Sequence, residues 1–291
     1  MEILTLIENT TETDSLRSEH GLSLLLKTGK NSQLLFDTGA SGAFLDNAIQ
    51  LGVDLSSISC VVISHGHYDH GGGLFDFFEI NKTAKVYISK YAFKKYYSSN
   101  NADHCAPIGV AGKPLRYIGL DTERLERYAQ RFQSIDDVTN LFDGVYLVPN
   151  IVGEYPRPNG NKALFSGAGG DAVHDDFRHE MILVVKEDDG IIIFTGCGHS
   201  GILNMIETVR RSHFEGPIKA IVGGLHLQLE SGTNSFADES DQITAIGKKL
   251  TDLGVTDIHT GHCTSLAASE RLSVGFGKKI SRIHTGSRFT L

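Results

Sequence analysis

The segment 64–70 concentrates side chains that bind metal ions, with three histidines and one aspartate between His65 and His70. Neutral imidazoles and a carboxylate are typical ligands of zinc, iron and manganese ions. The two-residue spacing of His65 and His67 lets a single turn aim both rings at one ion. Asp69 and His70 come further along the turn, where they can reach a second ion. The segment therefore predicts a site for two divalent metal ions, with zinc as the first choice and iron or manganese as alternatives.

The elements on either side of this segment indicate how it is positioned. Residues Cys60–Ser64 are apolar and partly β-branched, which is typical of a buried strand. Gly66 and the run Gly71–Gly73 let the backbone bend sharply, because glycine has no Cβ to clash. A helical pattern begins at Leu74. We therefore expect the metal-binding segment to lie at a junction between a strand and a helix.

Other strand candidates occur along the whole chain, in adjacent pairs at first and alternating with helices later. Such a mixture indicates layered sheets with helices outside. Helical faces follow the N-cap candidates Ser41, Ser200 and Asp238, so we expect a helix after each. The other predicted strands are Met1–Glu8, Leu22–Leu26, Gln33–Phe36, Lys85–Ser89, Gly144–Val148, Met181–Lys186, Ile191–Thr195, Lys219–Val222, Asp257–Thr260 and Lys279–His284.

Composition sets limits on function. The 291 residues are 40% hydrophobic and 21% charged, which is ordinary for a globular protein. No apolar run approaches the roughly 18 residues of a membrane span, and the net charge of −8 argues against a nucleic-acid partner. The acidic N-terminus is typical of a first strand and not of a signal peptide. Four cysteines without a close pair argue against a disulfide framework, so we expect a cytoplasmic protein. The sequence indicates no oligomeric state.

Residues 91–133 differ from the rest in being rich in tyrosine and carrying seven basic side chains against four acidic ones. We interpret the wider range 91–165 as an insertion. One interpretation of its charged part is a solvated helical hairpin. The other is a cap that offers cations and aromatic faces to a small anionic substrate. The candidate substrate contacts are Lys94, Lys95, Tyr97 and Arg116.

The pattern of residues 65–70 after an apolar strand resembles the signature of the metallo-β-lactamase superfamily. A second mark of that family is an aspartate at the end of an earlier strand, and Asp37 stands there after Gln33–Phe36. The resemblance implies an α/β fold, namely a four-layer αββα sandwich. We expect one domain over residues 1–291, with the 91–165 insertion as a cap over the site. The resemblance also implies that Asp37 holds a ligand imidazole through its second nitrogen.

The same resemblance implies the remaining metal ligands. His262 matches the family's last Gly-His turn, so we expect it to bind an ion. Where the family has a bridging aspartate this chain has Cys197, with His199 two residues later. We expect His199 to be the ligand here, with the Cys197 thiolate as the alternative. The family's third-histidine pattern is missing, so His174 and His179 are each either a ligand or a surface residue.

His226, in a Gly-Gly turn after a predicted strand, is either a ligand or a general acid that protonates a leaving group. Together the elements at 196–199, 223–227 and 261–264 resemble one branch of the superfamily. The members of that branch are similar to archaeal dihydropterin-methyl ribofuranosylaminobenzene phosphate synthase.

Three functions are compatible with these features. The first is a hydrolase in which a metal-activated hydroxide, oriented by Asp69, attacks a phosphoester or a small cyclic ester. The second is a transferase resembling the dihydropterin-methyl ribofuranosylaminobenzene phosphate synthase, with the aromatic insertion stacking on a pterin. The third is a metal-dependent sensor or binding protein without turnover. In each case we expect a small anionic ligand and neither a membrane nor a nucleic acid as partner.

Overall fold

Two seven-stranded sheets and a four-stranded sheet organise the chain in a computed structural model, which describes residues 1–28, 32–99, 115–142, 144–167, 171–229 and 237–291. In spatial order, the first sheet contains β18 (Arg288–Thr290), β1 (Glu2–Ile7), β2 (Ser23–Lys27), β3 (Gln33–Phe36), β4 (Cys60–Ile63), β5 (Lys85–Ser89) and β8 (Phe132–Ile135). The second contains β17 (Ser281–Arg282), β16 (Val255–Thr260), β15 (Ile218–Gly223), β14 (Gly190–Thr195), β13 (Ile182–Glu187), β10 (Val145–Val148) and β9 (Thr139–Phe142). The small sheet contains β12 (Val173–His174), β11 (Leu164–Ser166), β6 (Tyr96–Ser98) and β7 (Arg116–Tyr117).

Helices join and cover these strands. The α-helices of the described residues are α1 (Ala43–Gln50), α2 (Tyr68–Gly71), α3 (Leu74–Ile80), α4 (Thr122–Leu125), α5 (Ile202–Arg211), α6 (Ser240–Asp252) and α7 (Leu266–Phe276). The helices expected after Ser41, Ser200 and Asp238 are present as α1, α5 and α6, each with its N-cap one residue later than predicted. Helix α7 was not predicted, because two of the four residues that it buries are Ala268 and Ser269 and the apolar stripe is short.

Three apolar clusters show how the layers stack. One contains side chains from both large sheets, such as Leu24, Phe36 and Phe194, so the sheets pack face to face. A second joins the other face of the first sheet to α1 and α3. The third joins the other face of the second sheet to α5, α6 and α7. These contacts confirm the predicted αββα sandwich.

The parallel parts of the two large sheets decide where chemistry can take place. Strands β3, β4, β5 and β8 run parallel in one sheet, and β14, β15, β16 and β17 run parallel in the other. Parallel strands bring their carboxyl ends to the same edge of a sheet, where ligands commonly bind. The expected site residues follow those ends. Asp37 follows β3, His65 follows β4, Cys197 follows β14, His226 follows β15 and His262 follows β16.

The range 91–165 contributes to all three sheets. Its strand β8 lies at the edge of the first sheet, and β9 and β10 belong to the second. Strand β6 pairs with β7 on one side and with β11 on the other, and β11 pairs with β12. Side chains of this small sheet form part of the pocket described below. No helix in the described part of the chain is long and apolar enough to cross a bilayer.

Candidate metal centre

The first group of converging donors, called position one here, consists of His65, His67 and His199. The turn after β4 brings Nε2 of His65 within 3.1 Å of Nδ1 of His67. The ring of His199 lies 5.0 Å from each of these two rings, centroid to centroid. All three side chains are buried. Three neighbouring imidazoles of this kind are a ligand set for a divalent ion with an open coordination site.

The second group, position two, consists of Asp69, His70, Cys197 and His262. Nε2 of His70 lies 3.1 Å from Nε2 of His262 and 3.2 Å from Sγ of Cys197. Oδ2 of Asp69 lies 3.5 Å from Nε2 of His70 and 3.3 Å from Nε2 of His262. Ligand atoms of a tetrahedral zinc ion with bonds near 2.0–2.1 Å are about 3.3 Å apart. The spacing of these four buried donors therefore fits a zinc ion.

Outer hydrogen bonds hold the rings so that a nitrogen faces the other donors. Nδ1 of His70 donates to Oδ2 of Asp37 over 2.7 Å, and both the amide N–H and the hydroxyl of Ser64 also donate to this carboxylate. Nδ1 of His65 lies 2.9 Å from the Ser64 hydroxyl oxygen, which can accept its proton. Asp37 therefore lies where the sequence predicted it, behind a ligand ring.

Two asparagines that the sequence did not reveal do the same for the remaining rings. The side-chain oxygen of Asn161 accepts from Nδ1 of His199, and its amide donates to the carbonyl of the same histidine. Asn9 makes the matching pair of bonds to His262. In both rings Nε2 is thereby left as the atom with a free lone pair, as metal binding requires.

An unpartnered nitrogen supports the same conclusion for position one. Nε2 of His199 is buried and has no hydrogen-bond partner among the described residues. A buried polar atom without a partner is costly, so a structure that keeps one usually has a ligand or an ion for it. The residues present therefore fit a divalent ion at each position.

The protonation of the donors differs between the positions. Burial, reinforced by the neighbouring histidines, holds the pKa of His65 and His199 well below the usual range, and burial lowers that of His67 to about 3. Position one thus offers neutral imidazoles. Burial would also lower the pKa of His262, but its bond to Asp69 raises it to about 9. In the ion-free protein, position two therefore holds a proton.

Two further buried residues clamp the backbone beneath the donors. The carboxylate of Glu180 accepts N–H bonds from Gly198, His199 and Ser200 at 2.7–2.9 Å, which fixes the turn after β14. Nδ1 of His179 accepts from the Gly66 amide over 2.8 Å. Glu180 was not foreseen, because a lone glutamate in a polar segment carries no spacing signal.

The two histidines left open by the sequence are not placed as ligands. Besides its bond from Gly66, His179 uses Nε2 to donate to Oδ2 of Asp175 over 3.0 Å, so neither of its nitrogens is free. His174 is exposed on β12 and stacks on Phe165, with ring centroids 4.7 Å apart. Position two instead takes in Cys197, the alternative that the sequence left open beside His199.

A pocket of about 520 Å³ opens over both positions. Its wall includes His226, whose ring lies 4.2 Å from that of His199, and two arginines, Arg116 and Arg282. Arg282 donates to the carbonyl of Thr264 and Arg116 to the hydroxyl of Tyr68. Both partners are uncharged, so the two guanidinium groups keep a positive charge at the pocket. The pocket therefore suits a small anion.

The mouth of the pocket also contains His20, which no sequence motif had marked. Its ring stacks on His262, and its Nε2 lies 3.4 Å from Oδ2 of Asp69. The side chain is 56% exposed. A proton donor or acceptor at the entrance of the pocket thus comes from the loop before β2, about 45 residues away from the metal-binding segment.

Of the four predicted substrate contacts, one lines the metal pocket, two line a neighbouring cleft and one lines neither cavity. Arg116 lines the metal pocket together with its strand partner Ser98. Tyr97 and Lys95 line a neighbouring cleft, because successive side chains of a strand point to opposite faces. Lys94 lies over the ring of Tyr91 and lines neither cavity.

Comparisons with known proteins agree with this geometry. The sequence model of the Metallo-beta-lactamase superfamily matches residues 18–101. The 7,8-dihydropterin-6-methyl-4-(beta-D-ribofuranosyl)-aminobenzene-5'-phosphate synthase of Methanocaldococcus jannaschii is 30% identical over 278 residues, which are 92% of this chain and 89% of the relative. A crystal structure of a metal-dependent hydrolase of the beta-lactamase superfamily is 31% identical, with a TM-score of 0.77 over 100% of this chain and 99% of its own. Zinc-bound PqqB from Methylobacterium extorquens, 11% identical, aligns over 100% of both chains with a TM-score of 0.55 and shares the fold.

Proposed function

The chain belongs to the metallo-beta-lactamase superfamily, in the branch of the archaeal synthase, and on that premise we propose that it is a two-metal hydrolase of small anionic esters. The observation that carries the proposal is a set of seven donors below a pocket with two arginines. Asp69, His70, Cys197 and His262 lie within 4.8 Å of one another, as do His65, Cys197 and His199. His67 lies within 3.1 Å of His65. Ions held there supply Lewis acidity and an activated water at neutral pH. The substrate class is a phosphoester or a small cyclic ester.

The chain's own residues supply binding and proton handling. Arg116 and Arg282, which both line the pocket, hold the anionic group of the substrate. The carboxylate of Asp69 accepts a hydrogen bond from the attacking water and so orients it. His226, which lines the pocket beside His199, gives its proton to the leaving oxygen. Asp37, Asn9 and Asn161 keep the ligand rings in place during turnover.

The test is turnover by the zinc-, manganese- or iron-loaded chain on bis-p-nitrophenyl phosphate and on a panel of lactones. We expect hydrolysis that is lost in a double variant His65→Ala, His67→Ala. We also expect Arg116→Gln to raise KM for the phosphoester severalfold with little change in kcat. Turnover no faster than that of the double variant on every compound would refute the proposal.

A second candidate function is favoured by the archaeal relative, whose name describes a synthase that makes a dihydropterin-methyl ribofuranosylaminobenzene phosphate. The arylamine nitrogen would then form a bond to the methyl carbon of a pterin-methyl diphosphate as the carbon–oxygen bond to diphosphate breaks and the amine loses a proton. Ions held by the two positions would stabilise the departing diphosphate. Tyr68 and the pair Tyr97 and Tyr117, with ring centroids 5.5 Å apart, offer aromatic faces near the pocket. Quenching of pterin fluorescence by the metal-loaded chain tests this function. Saturable quenching with no ester hydrolysis would favour the synthase, and no quenching would exclude it.

A further inference from the structure

Three side chains beside position two form a group that the proposed reaction does not use, although two of them have separate roles in it. Cys197, His226 and Cys263 follow the adjacent parallel strands β14, β15 and β16. One ligand atom from each lies within 4.8 Å of the other two. Both thiols are buried, and all three residues line the pocket. Three separate strand ends therefore deliver two sulfurs and one imidazole to a single point.

The backbone makes room for this group in two places. A Cβ on Gly224 would lie 2.6 Å from Sγ of Cys263, so only glycine fits against the thiol in its present position. A Cβ on Gly160 would lie 2.9 Å from Nε2 of His226. His226 itself has φ 51°, a left-handed conformation that is unfavourable for a non-glycine residue and persists mainly at functional sites.

The ring of His226 also has a nitrogen to offer. With Nε2 against Gly160, the other nitrogen, Nδ1, is buried and has no hydrogen-bond partner in the described part of the chain. The thiol of Cys263 donates to the backbone carbonyl of Cys197 over 3.1 Å, which holds it against the turn after β14. An unpartnered imidazole nitrogen beside two thiols is a ligand set that thiophilic ions prefer.

We propose that Cys197, His226 and Cys263 form a third metal position, which takes a thiophilic ion such as Zn²⁺ or Cd²⁺ and shares Cys197 with position two. The Cys263 thiolate and part of the charge of the shared Cys197 thiolate neutralise much of the charge of a divalent ion, which lowers the cost of burying it. Cys₂His with an open fourth site is a known zinc ligand set. Each thiol that binds releases one proton to solvent, and no oxidant or reductant is involved.

This third position has a consequence for the proposed reaction. An ion on His226 removes the proton donor that we assign to the leaving oxygen. The two roles exclude each other, so an ion bound after the first two inhibits turnover. The metal-binding test below does not depend on turnover, which keeps failure of this proposal distinct from failure of the proposed function.

The experiment is a cadmium titration of the reduced, ion-free chain, with all four thiols confirmed by thiol counting. Bound cadmium is measured by equilibrium dialysis, and thiolate coordination by the ultraviolet thiolate-to-cadmium charge-transfer band. We expect three cadmium ions per chain, with the charge-transfer intensity roughly doubling as the third ion binds and Cys263 joins Cys197.

Matched variants locate the third ion. Cys263→Ala and His226→Ala are expected to bind two ions with the affinities of the parent chain, and Cys263→Ala is expected to lose the second half of the charge-transfer band. Cys60→Ala removes a buried thiol on β4, outside the cluster, and is expected to keep all three ions. Two ions in the parent chain, or a third ion that survives Cys263→Ala, would overturn the proposal. Normal binding of the first two ions shows that each variant is folded.

Discussion

Positions one and two share a pocket but differ in the charge of their donors. Position one is built from three imidazoles that burial keeps neutral. Position two adds a carboxylate and a thiol to two imidazoles, and the bond between Asp69 and His262 holds a proton there. An ion therefore enters position one without displacing a proton, whereas an ion in position two must displace at least one.

The difference indicates a division of labour. Three neutral ligands leave an ion with its full charge, which is the arrangement that best activates water in zinc enzymes. A carboxylate and a thiolate neutralise most of the charge of an ion in position two and hold it tightly. We therefore expect position two to bind its ion more firmly and position one to set the nucleophile.

The largest effect is expected when one position is removed at a time. His67→Ala should leave one firmly bound zinc ion per chain and lower kcat by about 10³-fold or more, well beyond the 10–100-fold typical of outer partners. His70→Ala should lower kcat as much but leave a zinc ion that a weak chelator removes. Metal analysis after dialysis against graded chelators, together with turnover, checks both. Equal retention of zinc by the two variants would contradict the division of labour.

The next effect is a difference in pH dependence. Burial lowers the pKa of His262, but its bond to Asp69 and the neighbouring negative charges together outweigh burial and raise it to about 9. Below that pH its proton competes with the ion, so zinc affinity at position two should fall at least tenfold per pH unit between pH 9 and 7. His67, with a pKa lowered to about 3, stays neutral over that range and adds no such slope at position one. Zinc competition titrations on the His67→Ala and His70→Ala variants measure the two slopes separately, and parallel slopes would contradict the assignment.

Replacing a residue that hydrogen-bonds to a ligand ring should have a smaller effect on zinc affinity, confined to one of the two positions. Asp37 accepts bonds from His70 and from both donors of Ser64. Asp37→Asn keeps the shape but places an N–H against one of these donors, so zinc affinity at position two should fall about 10–100-fold. Asp46→Asn, an exposed aspartate on α1, is the control and should change nothing. Equal weakening of both positions in Asp37→Asn would show that Asp37 supports the whole loop and not one ring.

The sequence could predict one part of this centre far better than the other. His65, His67, Asp69 and His70 lie in one short segment, so their spacing alone indicates metal binding. The supports that aim the rings could not be found in that way. Asn9, Asn161 and Glu180 are single polar residues in different loops, and only the packing of the two sheets brings them beneath the donors.

The strands show the same contrast between what the sequence could and could not predict. Strands β3 and β5 were predicted with their observed limits, because a buried parallel strand is a continuous apolar run. The placement of β8, β9 and β10 in the large sheets was not foreseen. The sequences of β8 and β9 alternate polar and apolar residues only weakly. Strand β10 was predicted as a strand, but its pairing with β13, like that of β8 with β5, joins segments that are distant in the chain.

The smallest predicted effect concerns the turn under position one. His179 accepts from the Gly66 amide and donates to Asp175, and the stacked ring of Tyr96 lies 4.0 Å away. His179→Leu would leave the amide buried without a partner, at a cost of about 1–3 kcal/mol. A shift of the turn can relieve part of that cost. We therefore expect zinc affinity at position one to fall about tenfold while zinc affinity at position two is unchanged. His179→Asn offers a side-chain oxygen near the place of Nδ1 and should recover most of the loss. If both variants weaken position two as well, the turn and the second position move together, and the two positions are not independently supported.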